Sequence, residues 1–307
     1  MDARVKFRHL QTFLEVAGQR SVGKAADALA ITQPAVTRTI RELEDILGVS
    51  LFEREGRGIR ISHFGEVFLK HAGESLAAVQ RGIDSVAQAR TFEGPPVRIG
   101  TLPTASATFM PDVVAQFLNG GTGSPVTIVS GENRFLLDSL RRGELDLVVG
   151  RLAAPEVMSG LSFEPLYSEE VTIVVGAGHP LLARRNFSLR ALSDYTVLMP
   201  TRGSVIRPFV DRLLLSNGIP DLPHIIETVS DSFGRAYIAR NPAAWIISRG
   251  VVADDIASGR FAALSLDMRE TRGAVGLTTP AETDPSASLT LMKQTIRDHV
   301  AAHPGRF

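Results

Sequence analysis

The first 50 residues show the hydrophobic spacing of short helices. The spacing i, i+3, i+4, i+7 occurs twice, at Leu10, Phe13, Leu14 and Ala17 and again at Val22, Ala25, Ala26 and Leu29. Such spacing gathers the apolar side chains on one face of an α-helix. After a break at 30–32, Thr32 is a predicted N-cap, and Pro34 lies in the first turn, where its missing N–H costs nothing. The pattern therefore predicts three helices, the third of which buries Val36, Ile40, Leu43 and Leu47.

Beyond Gly48 the pattern becomes that of a β-hairpin followed by a long helix. Ile59 and Ile61 alternate with Arg60 after a glycine turn at 56–58, as expected of a strand. Ser62 is the predicted N-cap of a helix that reaches about residue 91. Its apolar positions alternate spacings of three and four, a heptad pattern that predicts a partner helix, at Leu69, Ala72, Leu76, Val79, Ile83 and Val86.

The sequence Gly94-Pro95-Pro96 predicts an interdomain linker, because adjacent prolines disfavour helix. Short apolar strands and amphipathic helices alternate after it, which predicts an α/β domain with parallel sheets and ligands at the carboxyl ends of the strands. The predicted strands are 97–100, 126–129, 145–149, 171–175, 197–199, 225–227 and 245–247, and the predicted helices are 108–118, 134–141, 207–216 and 232–239.

Composition limits the classes of protein. The 307 residues contain 33 Lys and Arg and 33 Asp and Glu, so the formal net charge is zero. Neutrality excludes a globally basic polyanion binder. The absence of cysteine excludes disulfides, thiolate zinc sites and cysteine nucleophiles. No stretch approaches the roughly 18 apolar residues of a membrane span, so we expect a soluble, cytoplasmic protein that does not interact with membranes.

The N-terminal elements are typical of a winged helix-turn-helix, in which the third helix enters the DNA major groove and the basic hairpin holds phosphates or the minor groove. Gln33 suits adenine, and Arg38 and Arg41 suit guanine or phosphate. The remaining candidate DNA contacts are Ser21, Pro34, Thr37, Arg54, Arg57 and Arg60. For any single arginine, an ordinary solvated helix face remains the alternative.

Four segments resemble the N-terminal domain of LysR-type transcriptional regulators: FRHLQTF (7–13), AADAL (25–29), QPAVT (33–37) and LEDILGVSLFER (43–54). The resemblance covers the whole chain and implies a mainly α winged helix-turn-helix, a long linker helix and a two-lobed α/β effector domain like a periplasmic binding protein. The corresponding boundaries are 1–63 for DNA binding, 64–92 for the linker and dimerisation helix, 93–96 for a hinge and 97–303 for effector binding. Lobe 1 then comprises about 97–167 and 270–303, and lobe 2 about 168–269.

Three further segments look like the subgroup that contains the protocatechuate-catabolism activator and the galactose-binding-protein regulator: EREGRGIR (53–60), LDLVVGRL (145–152) and LMPTR (198–202). The resemblance implies a homodimer through the linker helix, assembled as a homotetramer on an inverted-repeat operator in double-stranded DNA. It also implies contact with RNA polymerase. Residues 62–65 depart from the common Thr-x-Ala-Gly start of the linker helix but keep a capping serine.

The expected effector site lies between the lobes, where strand-end loops precede helices whose N-termini favour anions. Arg151 and Arg202 suit a carboxylate, since guanidinium binds it bidentately. The other candidates are Thr104, Ser106, Ser130, Asn133, Thr201, Ser204 and Phe233. The alternatives are helix capping for the hydroxyls, an interlobe salt bridge for Arg151 and a core position for Phe233.

These features predict an activator of an aromatic-catabolic operon that binds a dicarboxylic or tricarboxylic ring-cleavage intermediate. The alternative is a sugar-responsive repressor of a solute-uptake operon. An enzyme is not expected, since the phosphate-loop and G-x-S-x-G motifs are absent and Gly176-Ala177-Gly178 lacks the third glycine of a dinucleotide site. His299 and His303 have helical metal-pair spacing but lack a third ligand. No cofactor or metal is therefore predicted.

Overall fold

The computed structural model describes residues 4–55, 58–91, 94–183, 188–281 and 284–304. Its N-terminal unit contains the three predicted helices, the hairpin and the long helix. The elements are α1 (Phe7–Gln19), α2 (Val22–Ala28), α3 (Gln33–Leu47), β1 (Phe52–Glu55), β2 (Gly58–Ile61) and α4 (His63–Thr91). The strands pair antiparallel, with Glu53 opposite Arg60. The turn residues Gly56 and Arg57 lie outside the described residues, and so does the predicted DNA contact of Arg57.

Capping groups fix the ends of the first helices. Ser21 accepts the N–H of Lys24 at 3.3 Å and so caps α2. Thr32 occupies the predicted N-cap position of α3 in extended backbone, although its hydroxyl makes no capping hydrogen bond within the described residues. Gly48 ends α3 in the left-handed conformation with φ of 70°, which costs a glycine little.

The hairpin is held by α3 and by the start of α4. The Glu44 carboxylate accepts the N–H of Leu51 at 2.7 Å. The Ser62 hydroxyl donates to the Ser50 carbonyl at 2.6 Å and accepts the N–H of Gly65 at 3.0 Å, so it caps α4 as predicted. These bonds satisfy backbone groups at both ends of the hairpin.

The predicted heptad positions of α4 divide into two halves. Ala72 and Leu76 are 1% and 9% exposed and pack into the core of their own N-terminal unit. Val79, Ile83 and Val86 are 45%, 57% and 67% exposed. The prediction of a continuous seam is therefore corrected: the first half is covered by the same chain, and only the second half is left for a partner helix.

Two lobes follow the N-terminal unit. Lobe 1 begins with β3 (Val97–Thr101), α5 (Pro103–Thr108), α6 (Met110–Asn119), β4 (Val126–Ser130), α7 (Asn133–Arg141), β5 (Leu147–Arg151) and β6 (Leu161–Glu169). Lobe 2 contains β7 (Val171–Gly176), β8 (Thr196–Met199), α8 (Arg207–Ser216), β9 (Ile225–Glu227), α9 (Asp231–Ile238), β10 (Ala243–Ser248), α10 (Ala253–Ala257) and β11 (Phe261–Ala263). The chain then returns to lobe 1 as β12 (Gly273–Pro280) and α11 (Ala287–Ala302).

The lobe sheets are mixed rather than parallel. Their strand orders are β4-β3-β5-β12-β6 and β11-β7-β10-β8-β9. β12 is antiparallel to β5 and β6, and β7 is antiparallel to β10 and β11, which corrects the prediction that 171–175 is a parallel strand. The reason is the double crossover: β6 leads directly into β7 through Glu170, and the segment before β12 brings the chain back. Both lobes still end their parallel strands at the interlobe cleft.

Buried apolar clusters cover both faces of each sheet. In lobe 1, α6 and α11 pack on one face around Phe109 and Phe117, and α7 packs on the other through Leu136 and Leu140. In lobe 2, α8 covers one face, while Trp245 lies in the cluster on the other. Of the predicted linker and hinge, Phe92 and Glu93 lie outside the described residues.

The close approach of α4 to the hairpin generates a stability prediction. A Cβ at Gly65 would overlap the Leu51 carbonyl oxygen and lie 2.6 Å from the Ile61 Cγ1. Gly65→Ala is expected to lower the free energy of unfolding of the N-terminal unit by about 1–3 kcal/mol, the usual cost of overpacking. Denaturant unfolding followed by circular dichroism measures the change.

The matched control is Gly82→Ala on the same helix, where no described atom lies within 4 Å of the added Cβ. Alanine there should raise stability by about 0.5–1 kcal/mol through helix propensity alone. Equal stabilisation by both substitutions would contradict the close approach.

Candidate DNA-binding surface and interlobe cavity

The outer face of α3 forms a shallow polar surface. Gln33, Pro34, Arg38 and Arg41 are exposed and Thr37 is half-buried on the same face. All five predicted α3 residues therefore lie together. Two acidic residues that the sequence interpretation did not single out share the surface, Glu42 and Asp45.

Glu42 is the centre of an ion-pair network on this surface. Its carboxylate accepts from Arg38 Nε at 3.0 Å and from Arg8 Nη2 at 2.9 Å, and it lies 3.5 Å from His9 Nε2. The hydrogen bonds from Arg38 and then Arg8 hold the pKa of Glu42 below its usual value. Any ligand that bound Arg38 would compete with this carboxylate.

The remaining DNA candidates lie beside this surface in different settings. Arg54 is exposed on β1. Arg60 donates to Glu53 at 2.6 Å and lines a groove that faces lobe 1. Ser21 is engaged as the cap of α2. Capping therefore accounts for Ser21, and its DNA contact stays a prediction.

A cavity of about 260 Å³ lies between the lobes, at the carboxyl ends of the parallel strands. Its predicted lining residues are Thr104, Ser130, Asn133, Arg151 and Ser204. The apolar part of the wall comes from both lobes and comprises Leu102, Pro103, Pro200, Val205, Ile206, Val229, Trp245, Ile247 and Val251. Such a mixture of apolar walls and a few polar groups is typical of a small-molecule site.

Arg151 is the most constrained polar group of the cavity. It is 5% exposed, and its Nη2 donates to the backbone carbonyls of Glu169, at 2.6 Å, and Thr271. Its guanidinium carbon lies 4.9 Å from the ring centre of Phe209 in lobe 2. Nε and Nη1 have no hydrogen-bond partner within the described residues. Because a buried N–H without a partner is costly, these two groups suit an anionic ligand.

Glu169 lies behind Arg151 and is 5% exposed. Burial raises the pKa of Glu169, whereas the Gly250 N–H at 2.6 Å, the charge of Arg151 and the Thr104 hydroxyl lower it. Arg151 is not within ion-pair distance of this carboxylate, so the interlobe salt bridge considered for Arg151 is replaced by hydrogen bonds to backbone carbonyls.

Two acidic side chains that sequence interpretation missed also line the cavity, Glu132 and Asp231. Burial raises the pKa of Asp231, and the charge of Arg235 opposes the shift. Glu132 accepts the Thr201 hydroxyl at 3.0 Å and thereby joins lobe 1 to lobe 2. The available signal was position, since each follows a parallel strand at its carboxyl end.

Trp245, Ser248 and Thr228 were missed as well. Trp245 is the single tryptophan of the chain and is 2% exposed. A Cβ at Gly234 would lie 2.6 Å from the Trp245 ring, so glycine lets α9 lie against it.

Four predicted effector residues lie outside the cavity lining, which corrects their placement. Ser106 hydrogen-bonds the Thr101 hydroxyl. Thr201 is engaged by Glu132, and Arg202 is exposed, so Arg151 and Arg202 do not form a pair in the cavity. Phe233 is 42% exposed and packs on Tyr237, 5.6 Å away between ring centres, so it is neither a core nor a lining residue.

Neither a cluster of metal-ligand side chains nor a membrane-spanning helix is found among the described residues. They hold no cluster of three or more His, Cys, Asp or Glu suited to a metal ion. No helix among them has both the length and the apolar character needed to span a membrane.

Comparison with known families covers nearly the whole chain. The LysR substrate binding domain matches residues 92–301, and the bacterial regulatory helix-turn-helix protein, lysR family, matches residues 7–66. The HTH-type transcriptional regulator PcaQ of Agrobacterium fabrum is 59% identical over 298 residues, which cover 97% of this chain and 96% of that protein. The regulator GbpR of Azospirillum brasilense is 29% identical over 82% of this chain and 74% of its own.

A solved structure has the same architecture. A full-length OxyR variant from Pseudomonas aeruginosa superimposes with a TM-score of 0.58 at 23% identity, covering 98% of this chain and 96% of that one. The relatives that match are named as transcriptional regulators rather than enzymes. The chain belongs to the LysR family of transcriptional regulators and combines a DNA-binding helix-turn-helix domain with an effector-binding domain.

Proposed function

We propose that this protein activates an aromatic-catabolic operon, of the protocatechuate or β-ketoadipate pathway, when a small carboxylate from ring cleavage binds between its lobes. The observation that carries the effector class is the buried Arg151 guanidinium, which lines the cavity and has two N–H groups without a hydrogen-bond partner within the described residues. The 59% identity with PcaQ over nearly the whole chain supports the aromatic-catabolic assignment.

DNA recognition is assigned to the exposed face of α3 and to the hairpin. Gln33 and Arg38 lie at the N-terminal part of α3, the part of a recognition helix that meets base edges. The operator is double-stranded DNA with an inverted repeat, matching a homodimer formed through the free half of α4. A homotetramer and a contact with RNA polymerase complete the proposal.

Removal of Arg38 tests the DNA surface. Arg38→Ala is expected to weaken operator binding about tenfold or more, because a hydrogen bond to a charged group contributes about 1.5–3 kcal/mol. Fluorescence anisotropy measures the affinity on a fragment identified by footprinting the DNA upstream of the protein's own gene. Arg269→Ala is the matched control, since it removes the same charge from lobe 2, where Arg269 pairs with Asp267. Equal operator affinity for both variants would refute the assignment of α3.

Removal of the Arg151 charge tests the effector site. Arg151→Gln is expected to weaken binding of 3-carboxy-cis,cis-muconate about 10- to 100-fold, the fold-change that corresponds to a lost charged hydrogen bond. Isothermal calorimetry measures the affinity, and thermal unfolding verifies that the variant is folded. Arg202→Ala is the control and should bind as tightly as wild type, because Arg202 is exposed outside the lining. Undiminished affinity in Arg151→Gln would exclude Arg151 as the anion ligand.

The second candidate function is a sugar-responsive repressor, which the two acidic groups of the cavity favour. The carboxylates of Glu132 and Asp231 accept hydrogen bonds from hydroxyls but repel a carboxylate. A calorimetric titration with galactose beside the ring-cleavage acid separates the two functions. Binding heat with galactose but not with the ring-cleavage acid would replace the aromatic-catabolic proposal by the sugar-responsive one.

The raised pKa of Asp231 predicts the pH dependence of acid binding. Above this pKa the ionised carboxylate repels an anionic effector, so affinity should fall as pH rises through it and recover as pH falls. Asp231→Asn should raise affinity at neutral pH and flatten the profile measured by calorimetry. Asp267→Asn, an exposed lobe 2 carboxylate whose pKa is held at about 2 by Arg269, should leave the profile unchanged. A wild-type profile retained by Asp231→Asn would show that Asp231 does not face the effector.

A further inference from the structure

Helix α7 reaches from the effector cavity to the DNA-binding domain. The loop before it and its first residue line the cavity through Ser130, Gly131, Glu132 and Asn133. Its other end lies against α1 and α4 of the N-terminal unit. One rigid element, only nine residues long, therefore contacts both functional parts of the same chain.

The cavity end of α7 also contacts lobe 2. Glu132, at the N-cap position of α7, accepts the Thr201 hydroxyl of lobe 2 at 3.0 Å. A Cβ at Gly203 would lie 3.1 Å from the other Glu132 carboxylate oxygen, so lobe 2 backbone closely flanks this side chain. An effector that changes the lobe orientation must alter this contact and so displace or release the start of α7.

The far end of α7 carries partly buried charges directed at the DNA-binding domain. Arg142, the C-cap residue, lies 4.0 Å from Glu15 of α1 and donates to Glu144 at 2.7 Å. Arg141 donates to Asp138 at 2.8 Å. Burial raises the pKa of Asp138 and lowers that of Arg141, as expected where this face is screened from water.

Glycines make this contact possible. A Cβ at Gly73 of α4 would overlap the Arg141 carbonyl oxygen, and a Cβ at Gly18 of α1 would lie 3.2 Å from Arg142 Nη1. Gly143, with φ of 72°, would place a Cβ 2.6 Å from the Ala77 Cβ on α4. Glycine inside a helix costs about 1 kcal/mol relative to alanine, so Gly18 and Gly73 are explained by the close packing that they permit.

The leucines of α7 connect the two ends through the core of lobe 1. Leu136, Leu137 and Leu140 are at most 2% exposed and share a cluster with the cavity residue Leu102. Because packed interiors transmit displacement rather than absorb it, α7 moves with the cavity wall as a unit.

We propose that the docking of α7 onto α1 and α4 is an intrachain switch, through which closure of the lobes on the effector changes the position of the DNA-binding domain. This proposal rests on the proposed effector function and adds the path by which effector binding reaches the DNA-binding domain of the same chain. The effector signal is the release of α7 from α1 and α4. A chain in which α7 is undocked should therefore bind the operator like the effector-bound protein.

The absence of cysteine from the chain allows a locking experiment without background thiols. A Cβ placed on Gly18 would lie 4.0 Å from the Asp138 Cβ, within the range of about 3.5–4.5 Å found in disulfides. The double variant Gly18→Cys, Asp138→Cys is oxidised with diamide, which accepts the two thiol hydrogens. Peptide mass spectrometry of mixed 14N- and 15N-labelled protein distinguishes crosslinks within a chain from crosslinks between chains.

The expected result is an intrachain crosslink that blocks the response but not the binding. Oxidised protein should still bind 3-carboxy-cis,cis-muconate, more weakly than the reduced form by no more than the coupling factor, while the acid-induced change in operator affinity, about 5- to 150-fold for typical allosteric coupling, should fall to about onefold. Reduction should restore the response, and in each single-cysteine variant diamide should leave the response equal to that of the same variant in the reduced form. A full response in the crosslinked protein, or failure to crosslink although both thiols are reactive, overturns the proposal.

A second variant tests release without any ligand. Gly73→Ala should undock α7 and shift the operator affinity and footprint without acid, by at least about fivefold if the coupling is typical. Gly82→Ala adds the same methyl group to the same helix, where no described atom is close, and should cause no shift. Identical operator binding by the two variants overturns the switch. If no acid binds wild type, the proposed effector function fails, but this comparison still decides whether α7 docking controls DNA binding.

Discussion

Two backbone segments join the lobes, and one guanidinium is hydrogen-bonded to both. Arg151 ends β5 in lobe 1, and its Nη2 donates to the carbonyl of Glu169 on the outgoing crossover and of Thr271 on the returning one. Gly273 makes room for it, since a Cβ there would overlap Nε. A buried cation held by neutral carbonyls keeps its positive charge, and under the proposed function an anion bound to it would act directly on the segments that join the lobes. The proposed effector recognition and the joint between the lobes thus share one side chain.

The balance of charges explains how a neutral protein suits specific DNA binding. Arg38 and Arg60 are both paired with carboxylates, Glu42 and Glu53, rather than presented as free cations. A phosphate that displaces one of these carboxylates exchanges one ionic contact for another, so little binding free energy is gained. A base edge adds directional hydrogen bonds, so the gain in binding free energy is larger. Zero net charge disfavours nonspecific binding to DNA, and under the proposed function recognition falls to a few positions on α3 and the hairpin.

Periodicity and short apolar runs predicted several elements with accurate bounds. Ile225–Glu227 and Arg207–Ser216 have the bounds that the sequence predicts, and α7 begins one residue earlier. β6 and β12 were missed because they lack the pattern of short buried parallel strands: β6 is partly exposed along most of its length, and β12 carries glycines at Gly273 and Gly276. The direction of β7 was also beyond prediction, since apolar spacing does not encode which way a strand runs. It depends on the chain crossing between lobes twice.

Some cavity residues were likewise predicted from the sequence, and others were not. Strand ends predicted Thr104, Ser130 and Arg151, because their place follows from topology. Arg202 and Phe233 lie outside the lining although they too follow strands. The direction of a loop at Arg202 and the orientation of a helix face at Phe233 depend on tertiary contacts that the residue pattern does not contain. The roles of Gly18 and Gly73, in contrast, could not be predicted from strand or helix patterns. In sequence these glycines only weaken a helix, and their function becomes visible when the partner backbone is in place. A residue that functions by lacking a side chain leaves no positive signal in the pattern of side chains. A path from the cavity to the DNA-binding domain that depends on glycines therefore becomes apparent only from the packed structure.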